Sequence, residues 1–145
     1  MEQLIAIIAI IALIVTGPLV GIELGVAAVV NPLADKLPDS GFRVVRSGGS
    51  KWLGLLMPFW YVGSLAALVA VAITSRTGLA IAAVTLMAGA VLLTVTVLVP
   101  INNRIGRWTT DADVSRDLAR RWDRFHWLRV AMLATVFALL AISAR

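Results

Sequence analysis

Four stretches of the chain, residues 4–30, 53–74, 78–99 and 125–143, are almost free of charged side chains, and the charges fall between them. The first three exceed the roughly 20 residues a helix needs to cross a bilayer core, and the fourth approaches that length once its lead-in from Phe125 is included. The pattern predicts an all-α fold, a four-helix transmembrane bundle forming one domain over residues 1–145. An interfacial loop is expected at 33–50, and a cytoplasmic loop with a helix extension at 101–124. The start Met1-Glu2-Gln3 has no basic residue, and the first run is far longer than a secretion signal's apolar core, so it is expected to be retained as a helix.

The breakers give the expected boundaries. Asn31-Pro32 ends helix one, and Pro100 ends helix three, because proline lacks an N–H and disfavours helix in the residue before it. Pro38, Gly41, Gly48 and Gly49 divide the first loop, leaving a short amphipathic stretch, Phe42 to Arg46, at the interface, and Trp52 opens helix two. Thr110 and Asp113 have the spacing of a capping box, so a long fourth helix is expected from Asp111, its first turns projecting into the cytoplasm. Asp117 with Arg121 and Asp113 with Arg116 lie at helical pairing distances on that projection.

Composition agrees with a lipid solvent: 60% of the 145 residues are hydrophobic and 14% are charged. The net charge of +5 would suggest nucleic acid in a soluble protein. Here the basic residues flank apolar helices, so membrane lipid is the expected partner and nucleic acid is not. Lys36, Arg43, Arg46 and Lys51 fall in one long loop and Arg104, Arg107, Arg116, Arg120, Arg121 and Arg124 in the other, while the turn between helices two and three holds only Arg76. By the positive-inside rule the long loops are cytoplasmic and both termini lie outside, with the plasma membrane as the expected location. The chain has no cysteine, which excludes disulfides, iron–sulfur clusters and thiolate metal sites.

Few residues in the apolar runs can carry chemistry. Gly17, Gly21 and Gly25 form a small-residue ridge suited to helix packing or to a homo-oligomer. Glu23 is the one carboxylate inside a run, at a depth where a charge costs about 2 to 3 kcal/mol, so it requires a partner or a proton. His126, the only histidine, shares a helix face with Trp122 and Arg129 at i, i+4 and i+7 spacing. The topology brings Glu23, Asn31, Trp60, Asn102, Asn103, Trp122, His126 and Arg129 toward one membrane face, where they can line a single pocket. Helix capping and an interfacial aromatic belt would use the same residue types.

The segments Val99-Pro100-Ile101-Asn102-Asn103-Arg104-Ile105 and Trp122-Asp123-Arg124-Phe125-His126-Trp127-Leu128-Arg129, with Asn31-Pro32 and Leu37-Pro38 before them, resemble the DUF1772, or anthrone-oxygenase-like, membrane proteins. The resemblance spans nearly the whole chain through the order and spacing of short pieces. It implies a small four-helix membrane protein. Some relatives oxidise anthrones to anthraquinones with O2 as co-substrate and no obvious organic cofactor, and many have no assigned activity.

An anthrone is a planar, lipid-soluble aromatic that donates electrons to oxygen once its central methylene loses a proton. On this reading His126, with an ordinary pKa near 6.5, takes the proton. Asn102, Asn103 and Arg129 stabilise the oxyanion, Glu23 orients His126 or relays its proton, and Trp60 and Trp122 stack on the rings, with Asn31 beside them. A metal held by Glu23 and His126 is the competing mechanism, with fewer strong ligands than an oxygenase triad of two His and a carboxylate. A membrane module that binds a lipophile or a partner membrane protein without turnover is the alternative function. Transport has little support from four helices with one buried carboxylate.

Overall fold

The computed structural model describes residues 2–143, which form four long rods: α1 (Gln3–Ala34), α2 (Asp39–Ser75), α3 (Gly78–Ile105) and α4 (Arg116–Ser143). Each is long and apolar enough to cross a membrane, and the chain is an integral membrane protein. Each rod packs on the next, and α4 closes the ring against α1. The α2–α3 turn is tight because Arg76 takes a left-handed cap (φ 52°) and Thr77 caps α3 through the Ala80 N–H.

The helices meet through small and medium side chains, among them Ala12, Leu19, Leu68, Ala83, Met87, Leu133 and Val136, all buried. The large aliphatic and aromatic side chains Ile14, Phe59, Val62, Ile73 and Leu92 face outward. In lipid there is no hydrophobic gain in burying a Leu between helices, so close backbone packing through small residues wins. Gly17 belongs to this packing, since a Cβ there would lie 3.3 Å from Phe137 of α4. The rest of the ridge differs: Gly21 and Gly25 have nothing within 4 Å of an added Cβ.

Neither Asn31-Pro32 nor Pro100 ends a helix, contrary to the sequence expectation. A π turn precedes each proline, Val26–Val30 in α1 and Thr94–Leu98 in α3, with Asn31 N–H bonding the Val26 carbonyl and Val99 N–H the Thr94 carbonyl. The wider turn relieves the clash between the proline ring and the carbonyl one turn back, so α1 continues to Ala34 and α3 to Ile105.

Two further boundaries move. Most of the expected 33–50 loop is the start of α2, which begins at Asp39 behind Pro38 and, at 37 residues, is the longest helix. Three glycines in its first three turns, Gly41, Gly48 and Gly49, cost about 1 kcal/mol each relative to alanine. Burial of Phe42 and Arg46 offsets this, Phe42 packing with Ala34, Ile101, Ile105 and Trp108 in a second small core. The fourth helix starts at Arg116. The Thr110–Asp113 box instead closes a 3-10 turn, Asp111–Asp113, after which Val114 is extended. Asp113 accepts the backbone N–H groups of Thr110 and Thr109 at 2.8 and 2.9 Å, which holds its carboxyl down at about 2. Asp117 pairs with Arg120, and Arg116 reaches across to Asp39 of α2 at 2.8 Å, tying the start of α4 to the start of α2.

Candidate functional site

Four side chains from three helices meet inside the bundle: Glu23 of α1, Tyr61 of α2, and His126 and Arg129 of α4, each at most 6% exposed. The Glu23 carboxylate accepts the Tyr61 hydroxyl on Oε1 at 2.9 Å and Arg129 Nη2 on Oε2 at 2.6 Å. Arg129 Nη1 donates to Thr94 Oγ1 in the α3 π turn at 3.1 Å. A buried ion pair is worth its desolvation only when its remaining groups are bonded; here the second carboxylate oxygen and Arg129 Nη1 are, while Arg129 Nε is buried with no partner among the described residues.

His126 is fixed at both nitrogens. Its Nε2 lies 3.1 Å from the backbone carbonyl of Glu23, which can only accept, so Nε2 carries the proton. Its Nδ1 is then an acceptor, 3.0 Å from Arg129 Nη2. Oε2 of Glu23 is also 3.2 Å from Nδ1, a contact between two acceptors that the shared guanidinium N–H group holds together. The same guanidinium nitrogen occupies the place a cation would take between Glu23 and His126. Among the described residues no three His, Asp or Glu side chains converge to hold a metal.

These groups form one wall of a cavity of about 240 Å³ whose other lining is mainly aliphatic, including Val26, Leu53, Met57, Val91 and Leu98. Both π turns contribute to the lining. Two lining side chains, Val62 of α2 and Val95 of α3, are also 67% and 61% exposed on the outside of the bundle, so the cavity opens sideways toward lipid between these helices.

Beyond His126 the wall continues toward the loop end. The Trp122 indole stacks on the imidazole, with centroids 4.5 Å apart and planes 18° apart, and the Arg46 guanidinium lies 5.4 Å over the indole. Arg46 Nη2 and Asn31 Nδ2 both donate to Asp123 Oδ1, at 2.8 and 2.9 Å. Asn102 Nδ2 donates to the Ser50 backbone carbonyl at 3.0 Å, and the Asn102 backbone carbonyl accepts the Ser50 hydroxyl. These bonds clamp α3 to α2 where an added Cβ on Gly54 would meet the amide at 3.3 Å.

The sequence-selected residues therefore divide. Glu23, Asn31, Asn102, Trp122, His126 and Arg129 line the cavity. Trp60 does not: its indole N–H donates to the Val15 carbonyl of α1 at 2.8 Å, and the next residue, Tyr61, faces the cavity instead. Asn103 is exposed, one residue and about 100° around the helix from Asn102. Tyr61, Thr94, Arg46 and Asp123 went unnoticed as site residues. The first two read as ordinary members of apolar runs, and the last two as loop charges.

The sequence model of a family described as Anthrone oxygenase matches residues 42–139, about two thirds of the chain. The chain belongs to the anthrone oxygenase family. No curated protein and no solved structure matches it. The anthrone oxygenase match covers Tyr61, Thr94, Trp122, His126 and Arg129, while Glu23, which joins this cluster in the fold, lies outside the matched residues.

Proposed function

We propose that this membrane protein oxidises the methylene of an anthrone-like fused aromatic to a carbonyl, with O2 as the co-substrate and no organic cofactor. The observation that carries this reading is a carboxylate, Glu23, held with a guanidinium and a phenol on the wall of an otherwise apolar cavity inside the bundle. Family membership supports the oxygenase class. Both reactants partition into lipid, and the opening at Val62 and Val95 gives them a route from the bilayer.

The geometry favours Glu23 as the proton acceptor, with His126 positioning it: both groups line the cavity, but the one acceptor lone pair of the imidazole, on Nδ1, already faces Arg129, whereas each carboxylate oxygen accepts one bond and keeps a second lone pair. Proton transfer from the methylene to Glu23 moves one negative charge onto the substrate oxygen. Arg129 and Tyr61 stay within reach of either anion, so no net charge appears in the low-dielectric interior. The electron-rich anion then reduces O2 and combines with it at the former methylene carbon. Loss of water leaves the carbonyl: the CH2 gives up both hydrogens, one oxygen atom stays in the product and the other leaves as water.

Turnover of anthrone under isotopically heavy O2 tests this. The quinone should gain one heavy oxygen, with one O2 consumed per quinone. Oxygen uptake no faster than in protein-free lipid would refute the reading.

The basic loops support a cytoplasmic position for the polar end of the bundle, with both termini outside, in the cell membrane. The bare Gly21–Gly25 face supports association with a second copy of the chain. Val95→Trp should narrow the lateral opening and cut the rate at limiting anthrone about tenfold, while a surface change of this kind shifts stability within about 0.5 kcal/mol. Initial rates and thermal unfolding in the same lipid preparation measure both, and an undiminished rate excludes this entrance.

A further inference from the structure

The loop end of the bundle has a second recess, of about 390 Å³, which shares no lining residue with the central cavity. It lies between the last turn of α3 and the first turns of α4, and the turn that joins them adds Asp113. Trp108 and Leu118, which belong to the small core around Phe42, give it an apolar surface, while Arg104, Arg121, Asp113 and Asp117 bring charges of both signs. Neither arginine forms an ion pair among the described residues. Asp117 and Arg121 have the spacing to pair along the helix, but Asp117 takes Arg120 and leaves Arg121 free. Asp117 uses Oδ1 for that bond, and the bonds that Asp113 accepts from Thr109 and Thr110 all fall on Oδ2, so one oxygen of each carboxylate has no partner among the described residues. Asp113, with its carboxyl held down at about 2, stays ionised at neutral pH.

The recess also lies at the depth of lipid head groups. At 28 residues α3 is about 42 Å long, the thickness of a whole bilayer, so with its first turn in one head-group layer its last turn, with Arg104, lies in the other. From Arg121 to Ser143 α4 rises about 33 Å, slightly more than the hydrocarbon core. Trp127, half-exposed and about 9 Å deeper than Arg121, stands where an indole marks the edge of that core.

We propose that this recess binds the head group of a phospholipid with a primary ammonium, its phosphate held by Arg104 and Arg121 and its ammonium by Asp113 and Asp117. A phosphodiester matches the forked donors of arginine. A primary ammonium has N–H groups for the two free carboxylate oxygens; a trimethylammonium has none, and a glycerol head brings no cation. Basic loops alone would favour any anionic lipid, and the two carboxylates turn the preference toward a zwitterion. Trp108 and Leu118 offer an apolar surface to the glycerol backbone and first acyl carbons, which favours an intact lipid over its soluble head.

The test reconstitutes the full chain in bilayers of equal phosphatidylethanolamine, phosphatidylcholine and phosphatidylglycerol, extracts it into detergent and counts the retained lipids by mass spectrometry. Phosphatidylethanolamine should be retained about tenfold over either of the others. Arg104→Gln and Arg121→Gln, which break no ion pair, should each cut that retention about fivefold or more, and Asp117→Asn should bring it within about twofold of phosphatidylcholine. Arg124→Gln, at a cation outside the recess, should leave it unchanged. All four side chains are exposed, so thermal unfolding of the variants should match that of the unaltered chain. Retention in proportion to the bilayer, enrichment of phosphatidylglycerol, or an equal loss in Arg124→Gln overturns the site. Displacement of the retained lipid by glycerophosphoethanolamine, the same head without acyl chains, overturns the lipid as its occupant.

Discussion

Arg129→Met should destabilise the protein by about 3 kcal/mol or more, the largest single effect expected in this chain. The substitution leaves the Glu23 carboxylate buried at 3% exposure with, among the described residues, only the Tyr61 hydroxyl as a donor, and it removes the bonds to Thr94 and His126 that join α4 to α3 and lock the imidazole. The cost is that of an unpaired charge, not of a lost contact, and a second substitution separates the two. In Glu23→Gln/Arg129→Met the charge is gone with its partner, and most of the stability should return. Thermal unfolding in lipid nanodiscs measures both proteins. A double variant no more stable than the Arg129 single would show that packing around the guanidinium, and not its charge, holds the site.

Glu23→Gln alone should lower anthrone turnover by about 100-fold or more, the loss expected when a positioned base is removed. Glutamine keeps the size of the side chain and an oxygen that can accept from Tyr61 or Arg129, but it cannot take the methylene proton. The variant also leaves Arg129 without its counter-charge, so rates should be compared per folded, anthrone-binding protein. His126→Gln is the discriminating companion. Because His126 holds Glu23 through the backbone carbonyl and the shared Arg129 group, its loss should reduce the rate less than loss of the carboxylate does. The reverse order, with Glu23→Gln nearly active and His126→Gln dead, would return the base to the histidine.

Both experiments turn on a cluster whose members were unequally visible in the sequence. Glu23 stood out because a carboxylate in a long apolar run is costly and needs a partner. His126, Arg129 and Trp122 stood out because their spacing puts them on one face of one helix, and intrahelical geometry is fixed by the chain itself. Tyr61 does not stand out, and the sequence points to Trp60 in its place. Adjacent residues on a helix point about 100° apart, so the choice depends on how α2 is rotated against α1, which the apolar pattern of a lipid-embedded helix does not report. Asn102 and Asn103 present the same problem, and the bond from Asn102 to Ser50 of α2 resolves it.

The sequence by itself determined that four helices cross a membrane, where their apolar cores lie, and which buried charge needs compensation, because length, apolarity and the energy of a charge in lipid act locally along the chain. Only the tertiary structure decided which residues meet that charge. The π turns at Val26–Val30 and Thr94–Leu98 carry α1 and α3 past their prolines and shift the face that each presents beyond the turn, so residues on either side lose the register that an ideal helix would give them. The pairing of Glu23 with Tyr61 and Arg129, and of Arg46 with Asp123, is set by the rotation of whole helices against one another, a property of the packed bundle that no single segment encodes.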